Sequence, residues 1–273
     1  MKRKEFIRLA TPAFLLLAGG KILKVSNGLL TGQENKKVKL RFVVASDGHY
    51  GEPKTEYENF FATAVSRING EHGRNPFSFC VINGDIIHNE KNFFPAAKKA
   101  LDNLHMKYYV SQGNHDHVTA EEWQAIWSIP VNYDFVQEKN SFLIGTTSNE
   151  KGEYLCPDVE WFSRKLEEHK QQDNIFIFLH INPVKQTNNA VDCPELLTLF
   201  ENHKNIRAVF NGHDHDEDRI KVKNNVPFVF DAHFGGSWGT SYRGFRVVEV
   251  LKDNSVLTYI MNPAEKINEA AIG

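Results

Sequence analysis

The chain has 273 residues, of which 41% are hydrophobic and 24% are charged, and its formal net charge is −2. This length suits one large domain or two small ones, and the composition is that of a globular protein that can bury a sizeable core. Because the chain is slightly acidic, the composition excludes nucleic acid as a non-specific partner.

The first twenty residues have the pattern of an export signal. A basic start is followed by a short apolar run at 13–18 and then by small residues. That run is too short for an ordinary membrane span, so we predict a signal peptide-like export segment at 1–20 and a periplasmic or extracellular protein without a stable span after processing. Its removal would change the net charge from −2 to −5. The alternative is an amphipathic helix packed on the domain.

Short runs rich in β-branched and aromatic residues predict strands, and helical patterns separate them. The predicted strands are 39–46, 77–83, 107–112, 174–180 and 205–211, and the predicted helices lie near 55–69, 94–104, 119–127, 158–171 and 192–203. Thr119 and Glu122 predict a capping box at the start of the third helix.

After residue 211 the pattern changes to strands joined by short polar turns. We therefore predict a lead-in linker at 21–37, one α/β domain over 38–265 whose strand-rich C-terminal part forms a second sheet, and a tail at 266–273. An all-parallel Rossmann sheet is the alternative, but no GxGxxG follows the first strand.

The three cysteines do not have the spacing of a metal site such as CxxC. Cys80 lies within an apolar run and is predicted to be a small buried hydrophobe. Cys156 and Cys193 would be able to pair in an oxidising compartment, and the sequence leaves that pairing open.

A polar cluster follows each of the five strands predicted before residue 211. The clusters are SDGH at 46–49, NGD at 83–85, GNHDH at 113–117, FLH at 178–180 and NGHDH at 211–215. Open α/β sheets place their sites beyond the carboxyl ends of strands, so the five loops predict one shared site. Taken singly, SDGH and NGD are also compatible with ordinary turns, and His180 with a histidine that serves no metal.

These clusters supply oxygen and imidazole donors and no thiolate. The candidate metal ligands are Asp47, His49, Asp85, Asn114, His180, His213 and His215. One tetrahedral metal needs only four ligands, whereas two metals sharing one carboxylate would use all seven donors and leave positions for water and substrate. Mixed nitrogen and oxygen ligation suits Mn, Zn or Fe.

In this order, DGH, NGD, GNHD, a lone histidine after an apolar strand and GHDH resemble the motifs of the calcineurin-like metallophosphoesterases, from about residue 40 to 216. The resemblance implies a four-layer αββα sandwich, in which helices flank two mixed β-sheets and a two-metal centre lies at the strand ends. It also implies which residues bind each ion: Asp47, His49 and His215 the first, Asn114, His180 and His213 the second, with Asp85 bridging both.

The same resemblance implies that His115 lies near the leaving group as a general acid, with Asp116 orienting its imidazole. The expected reaction is hydrolysis of a small phosphomonoester or phosphodiester by a hydroxide held between two divalent or mixed-valence ions. Two positions differ from known branches. His88 stands where purple acid phosphatases have a metal-ligating tyrosine, and Ile181 stands where some relatives have a second histidine.

Residues 231–248 form a glycine-rich stretch with several aromatic side chains. They predict either a hairpin packed on the core or a substrate rim, whose candidate residues are Phe234, Trp238, Tyr242 and Arg243.

Three other functions stay open: a cyclic-nucleotide phosphodiesterase or nucleotidase, a catalytically silent protein-binding scaffold of the same fold, and a metal-storing module. A scaffold would be expected to lack some ligands, and a metal store would not need His115.

Overall fold

A computed structural model describes residues 13–17, 21–25, 37–262 and 265–272. Most of the predicted export segment and of the predicted lead-in linker lies outside these residues. The parts that are described form two strands, β1 (Ala13–Leu17) and β2 (Lys21–Val25). Export stays a prediction.

The remaining elements alternate between strands and helices up to residue 211 and are strands after it. The strands are β3 (Val38–Ala45), β4 (Phe79–Asn83), β5 (Tyr108–Ser111), β6 (Tyr133–Gln137), β7 (Asn140–Gly145), β8 (Asn174–Leu179), β9 (Ile206–Asn211), β10 (Ile220–Lys223), β11 (Val226–Phe230), β12 (Phe245–Leu251), β13 (Val256–Asn262) and β14 (Glu265–Ile272). The helices are α1 (Tyr57–Arg74), α2 (Phe94–Leu101), α3 (Ala120–Trp127), α4 (Val159–Glu168) and α5 (Pro194–Glu201), and a 3-10 turn at Lys91–Phe93 precedes α2.

The strands form two mixed sheets. The first sheet has the order β2-β1-β14-β13-β12-β3-β4-β5, and the second sheet has the order β10-β11-β9-β8-β7-β6. In the first sheet β3, β4 and β5 are parallel, and in the second sheet β7, β8, β9 and β11 are parallel. Parallel neighbours end at the same edge, so each sheet presents several strand ends side by side.

Three apolar clusters divide the molecule into four layers. Period-two alternation along β3 places Phe42 and Val44 between the sheets and Val43 under the helices. The first sheet packs its outer face on α1, α2 and α3, and the second sheet packs its outer face on α4 and α5. The predicted αββα sandwich is confirmed.

Phenylalanine rings fill much of the space between the sheets. Phe42 stacks on Phe79 with ring centroids 5.0 Å apart, and Phe142 stacks on Phe176 at 5.4 Å. Full burial of such a side chain contributes about 1.5–3 kcal/mol. The two sheets are therefore fixed against each other, which is the condition for loops from both to build one site.

The predicted helices are all present, and α3 begins with the predicted capping box. The Thr119 hydroxyl accepts from the Glu122 amide at 3.2 Å, and the Glu122 carboxylate accepts from the Thr119 amide at 3.1 Å. No helix of the described residues is long and apolar enough to cross a membrane.

One prediction about the sheets is wrong. The strands after residue 211 do not form a second sheet of their own: β10 and β11 extend the second sheet, whereas β12, β13 and β14 join the first. The prediction followed chain order, but β12 pairs with β3 because its Val248 and Val250 complete the apolar face between the sheets. Of the residues expected to form a tail, 266–272 lie within β14.

A disulfide joins Cys156, just before α4, to Cys193, just before α5. It holds the loop that follows β7 against the second sheet's helical layer. Cys80 is a free, buried cysteine in β4, as predicted.

Candidate metal centre

The carboxyl ends of β3, β4, β5, β8 and β9 meet at one end of the sandwich. Hydrogen bonds join the two sheets there: the Asn83 side-chain amide donates to the Phe210 carbonyl at 3.2 Å, and the His213 amide donates to both Asp47 carboxylate oxygens at 3.1 Å. Within each sheet the loops continue the strand pairing, since the Asp47 amide donates to the Gly84 carbonyl at 3.1 Å.

Six of the seven predicted donors converge in two groups. Asp47, His49 and His215 form one, and Asp85, His180 and His213 form the other. In the first, His215 Nε2 lies 3.1 Å from Asp47 Oδ1 and 3.0 Å from His49 Nε2. Imidazole nitrogens gathered this closely around a carboxylate are arranged as metal ligands are.

Asp85 lies between the two groups. Its Oδ2 is 3.1 Å from His180 Nε2 in one group and 3.7 Å from His49 Nε2 in the other. Its Oδ1 accepts from the His115 amide at 2.8 Å. The carboxylate is therefore within reach of both groups, as a bridging ligand has to be.

Three imidazoles are anchored through Nδ1, which leaves Nε2 directed at the carboxylates. His180 Nδ1 donates to the Asn83 carbonyl at 2.7 Å, and His215 Nδ1 donates to the Trp238 carbonyl at 3.2 Å. His49 Nδ1 lies 3.2 Å from His88 Nδ1. Metal-binding histidines are commonly oriented by such a bond from the second ring nitrogen.

The charges at this end are those of a cation site. Burial by itself would raise the pKa of the Asp47 carboxyl, but the imidazoles of His215 and His180 hold that pKa below its usual range. Burial lowers the pKa of His49 to about 3, so its ring is neutral and has a free lone pair. Burial by itself would lower the pKa of His180, yet the carboxylates of Asp85 and Asp47 raise that pKa to about 10. Two buried carboxylates thus draw positive charge toward themselves.

The donor set fits a pair of metal ions. Among the described residues, the ion-pair partners of Asp47 and Asp85 are histidines only. Two of the predicted donor atoms, Asn114 Oδ1 and His213 Nε2, are buried and make no hydrogen bond. Buried polar atoms rarely stay unpaired, and buried carboxylates need a counter-charge, so bound cations would satisfy both.

The turns that carry the donors are strained or closely packed. Asp47, His49, Asp85 and His213 all have left-handed backbone conformations, with φ of 59, 49, 49 and 65°. At Gly84 a Cβ atom would lie 2.4 Å from the His180 ring, so only glycine allows this approach. Non-glycine residues with positive φ are uncommon and cluster at functional sites.

His115 lies beside the first group with its ring oriented by a neighbour. Its ring centroid is 4.9 Å from that of His49, and its Nδ1 donates to Asn89 Oδ1 at 2.7 Å. The Nε2 atom is therefore the position from which a proton can be exchanged. The role of His115 as a general acid stays a prediction.

The prediction that Asp116 orients His115 is wrong. Asp116 Oδ1 accepts from the amides of Ile86 and Ile87 at 2.9 and 3.1 Å, and Oδ2 accepts from the Gly113 amide at 2.8 Å. Asp116 thus ties the loop of Asp85 to its own loop, because those buried amides need an acceptor. Asn89 binds the imidazole of His115 instead. It lies four residues after Asp85, in the loop that begins with the predicted polar cluster at 83–85.

The four candidate rim residues lie in two places: Trp238 at the metal centre, and the other three around a separate cavity. Trp238 lies at the centre: its ring is stacked on His215 at 4.2 Å, and it is 43% exposed. Phe234 is only 3% exposed and packs on Phe61, so the prediction of a rim role for it is wrong. Tyr242 and Arg243 face a cavity of about 570 Å³, whose lining residues among those described include no predicted metal ligand.

Sequence comparison finds one family model that matches this chain. It is the calcineurin-like phosphoesterase model, over residues 40–217. Among curated protein sequences, no match to this chain was found.

Three solved structures illustrate how widely this fold occurs. A dimetal phosphatase from Danio rerio has a TM-score of 0.67 at 13% identity, over 85% of this chain and 98% of that one. GAP50, the anchor in the inner membrane complex of Plasmodium, has a TM-score of 0.65 at 15% identity, over 87% and 89%. The NAD nucleotidase of Haemophilus influenzae has a TM-score of 0.51 at 14% identity, over 83% of this chain and 49% of that one. At these identities, the likeness concerns the fold alone.

Proposed function

The chain belongs to the calcineurin-like phosphoesterase family, and from that premise we propose that it hydrolyses a small phosphomonoester or phosphodiester with the help of two metal ions. The observation that carries the proposal is the convergence of two donor groups on either side of Asp85. Mn, Zn and Fe all suit this mixture of carboxylate and imidazole ligands.

The metal positions follow from the donors. Asp47, His49 and His215 would hold one ion, Asn114, His180 and His213 the other, and Asp85 would contact both. When bound, two divalent ions lower the pKa of a coordinated water and neutralise charge on phosphoryl oxygens.

His115 is the group that would serve the leaving alcohol. In hydrolysis, a water oxygen bonds to phosphorus, the bond from phosphorus to the ester oxygen breaks, and that oxygen needs a proton. The Nδ1–H of His115 is engaged by Asn89, so Nε2 would donate the proton. The hydrogen bond from the His115 amide to Asp85 fixes the backbone of His115 beside the predicted bridging ligand.

Two other functions have a specific observation in their favour. The NAD nucleotidase has the same fold, which keeps a nucleotidase or cyclic-nucleotide phosphodiesterase open as the narrower activity. GAP50, the anchor in the inner membrane complex of Plasmodium, also has this fold, which favours a scaffold. The proposal of an enzyme over a scaffold rests on the complete set of donors together with the oriented His115.

Metal-restored hydrolysis tests the proposal. Protein stripped with a chelator should hydrolyse neither p-nitrophenyl phosphate nor bis-p-nitrophenyl phosphate. Reloading with Mn, Zn or Fe should restore turnover with about two ions bound per chain, because all seven donors would then be occupied. The preferred compound would separate a monoesterase from a diesterase. Two tightly bound ions without turnover on a broad panel of phosphoesters would contradict the proposal and favour a scaffold.

We also propose that the protein is exported. The support is the basic and apolar pattern of residues 1–20 together with the disulfide between Cys156 and Cys193, since disulfides persist in oxidising compartments. Expression of the full chain with fractionation of the host should place it outside the cytoplasm with that disulfide formed. A chain recovered from the cytoplasm with all three cysteines reduced would contradict export.

A further inference from the structure

Two exposed aromatic side chains flank the centre, and each contacts a ligand of a different predicted metal. Trp238 stacks on His215, with ring centroids 4.2 Å apart and planes 10° apart. Tyr154 makes an edge contact with His213, with centroids 4.8 Å apart. They are 43% and 45% exposed, which is unusual for large apolar side chains in this protein.

We propose that Trp238 and Tyr154 form an aromatic pair that selects phosphoesters carrying a flat aromatic or heteroaromatic group. This inference rests on the proposed phosphoesterase function and names the substrate class of the same site. Exposed aromatic faces beside a reaction centre bind planar groups by stacking, and the gain is largest where the ring is already fixed in place.

The Trp238 ring is fixed on one face and open on the other. His215 is sandwiched between Trp238 and His233, whose ring centroid is 4.9 Å from that of His215. The Trp238 carbonyl accepts from His215 Nδ1 at 3.2 Å, and the Thr240 amide donates to the His215 carbonyl at 2.9 Å. One indole face is thus occupied by an imidazole, and the exposed face is available to a ligand.

Trp238 also lies on the side where the leaving group would depart. Its ring centroid is 4.8 Å from that of His49 and 6.4 Å from that of His88. Both of these rings contact His115, at 4.9 and 5.0 Å. A leaving alcohol that takes a proton from His115 would therefore have the indole as its nearest large apolar surface.

Tyr154 lies beside the other predicted ion, on a loop that is held at both ends. Ser148 pairs with Tyr154, the Leu155 amide donates to the Thr147 carbonyl at 2.8 Å, and the disulfide fixes Cys156.

Binding of phosphonates tests the pair without hydrolysis, because a P–C bond is not cleaved. Metal-loaded protein would be titrated by calorimetry with benzylphosphonate and with propylphosphonate. We expect benzylphosphonate to bind about tenfold more tightly, since one stacking contact is worth about that factor. Trp238→Ala and Tyr154→Ala should each remove most of the preference, measured as the ratio of the two dissociation constants in the same metal-loaded variant. Trp238→Phe and Tyr154→Phe should keep it, because they retain a ring.

Leu155→Ala is the matched control, because Leu155 is about as exposed as Tyr154 in the same loop but has no aromatic ring. It should leave both affinities unchanged. Equal affinity for the two phosphonates, or a preference that survives both alanine variants, would overturn the aromatic pair while leaving the phosphoesterase intact. Failure of metal-loaded protein to bind either phosphonate or to hydrolyse any ester would overturn both proposals.

Discussion

Asp85→Asn is expected to lower kcat by about three orders of magnitude and to reduce the metal content below one ion per chain. Asp85 is the carboxylate within reach of both donor groups, at 3.1 Å from His180 and 3.7 Å from His49. An amide is a weak, neutral ligand, so the second ion would lose its only carboxylate and both ions would lose the ligand that they share. The loss of several kcal/mol of transition-state stabilisation corresponds to about a thousandfold in rate.

The measurements are elemental analysis of the purified variant and turnover of bis-p-nitrophenyl phosphate. Asp134→Asn is a suitable control, because Asp134 also bonds a histidine, His169 at 2.7 Å, but lies on β6 outside both donor groups. It should keep full activity and metal content. If Asp85→Asn retained two ions and wild-type turnover, the assignment of the bridging position would be wrong.

His115→Asn should produce a loss that depends on the leaving group. A departing alkoxide needs the proton that His115 Nε2 would supply, whereas p-nitrophenolate leaves readily without one. We therefore expect kcat to fall by about a hundredfold or more for an alkyl phosphate and by less than about tenfold for p-nitrophenyl phosphate. Metal content should stay at about two ions per chain, because His115 is not one of the seven predicted ligands.

His117→Asn provides the comparison, since His117 lies in the same loop, 6.4 Å from His115 between ring centroids, without the bond to Asn89. Its effect should be small and the same for both leaving groups. An equal loss for alkyl and p-nitrophenyl esters in His115→Asn would indicate that this imidazole positions the substrate and does not protonate it.

The sequence was sufficient to predict that six of the seven candidate donors lie together, because each one comes after a strand with a clear apolar pattern. It was insufficient for contacts made across loops. Asp116 is the neighbour of His115 in sequence, yet its carboxylate is turned toward three buried amides, and Asn89 reaches the imidazole from another loop. Side chains of adjacent residues in a turn point in different directions, and only the folded chain shows which one finds which partner.

The hairpin of β6 and β7 was not predicted for a similar reason. Its turn has Glu138 at a φ of 56° and no glycine or asparagine at the two turn positions, so the usual turn signal is missing. The loop after β7, which carries Tyr154, went unnoticed with it. Phe234 was misassigned because an aromatic residue on a glycine-rich turn suits a rim as well as a core, and only its contact with Phe61 decides.

The left-handed backbone at four predicted ligands has a consequence for how such a chain would change under selection. Each of these conformations costs a non-glycine residue about 1–2 kcal/mol. A glycine at Asp47, His49, Asp85 or His213 would relieve that strain and delete a donor in the same step. In a lineage that kept this fold only to bind a partner protein, replacement of these ligands by glycine would therefore be favoured, because each replacement would stabilise the folded chain. If the site binds cations, all four residues are expected to be retained in spite of their backbone cost.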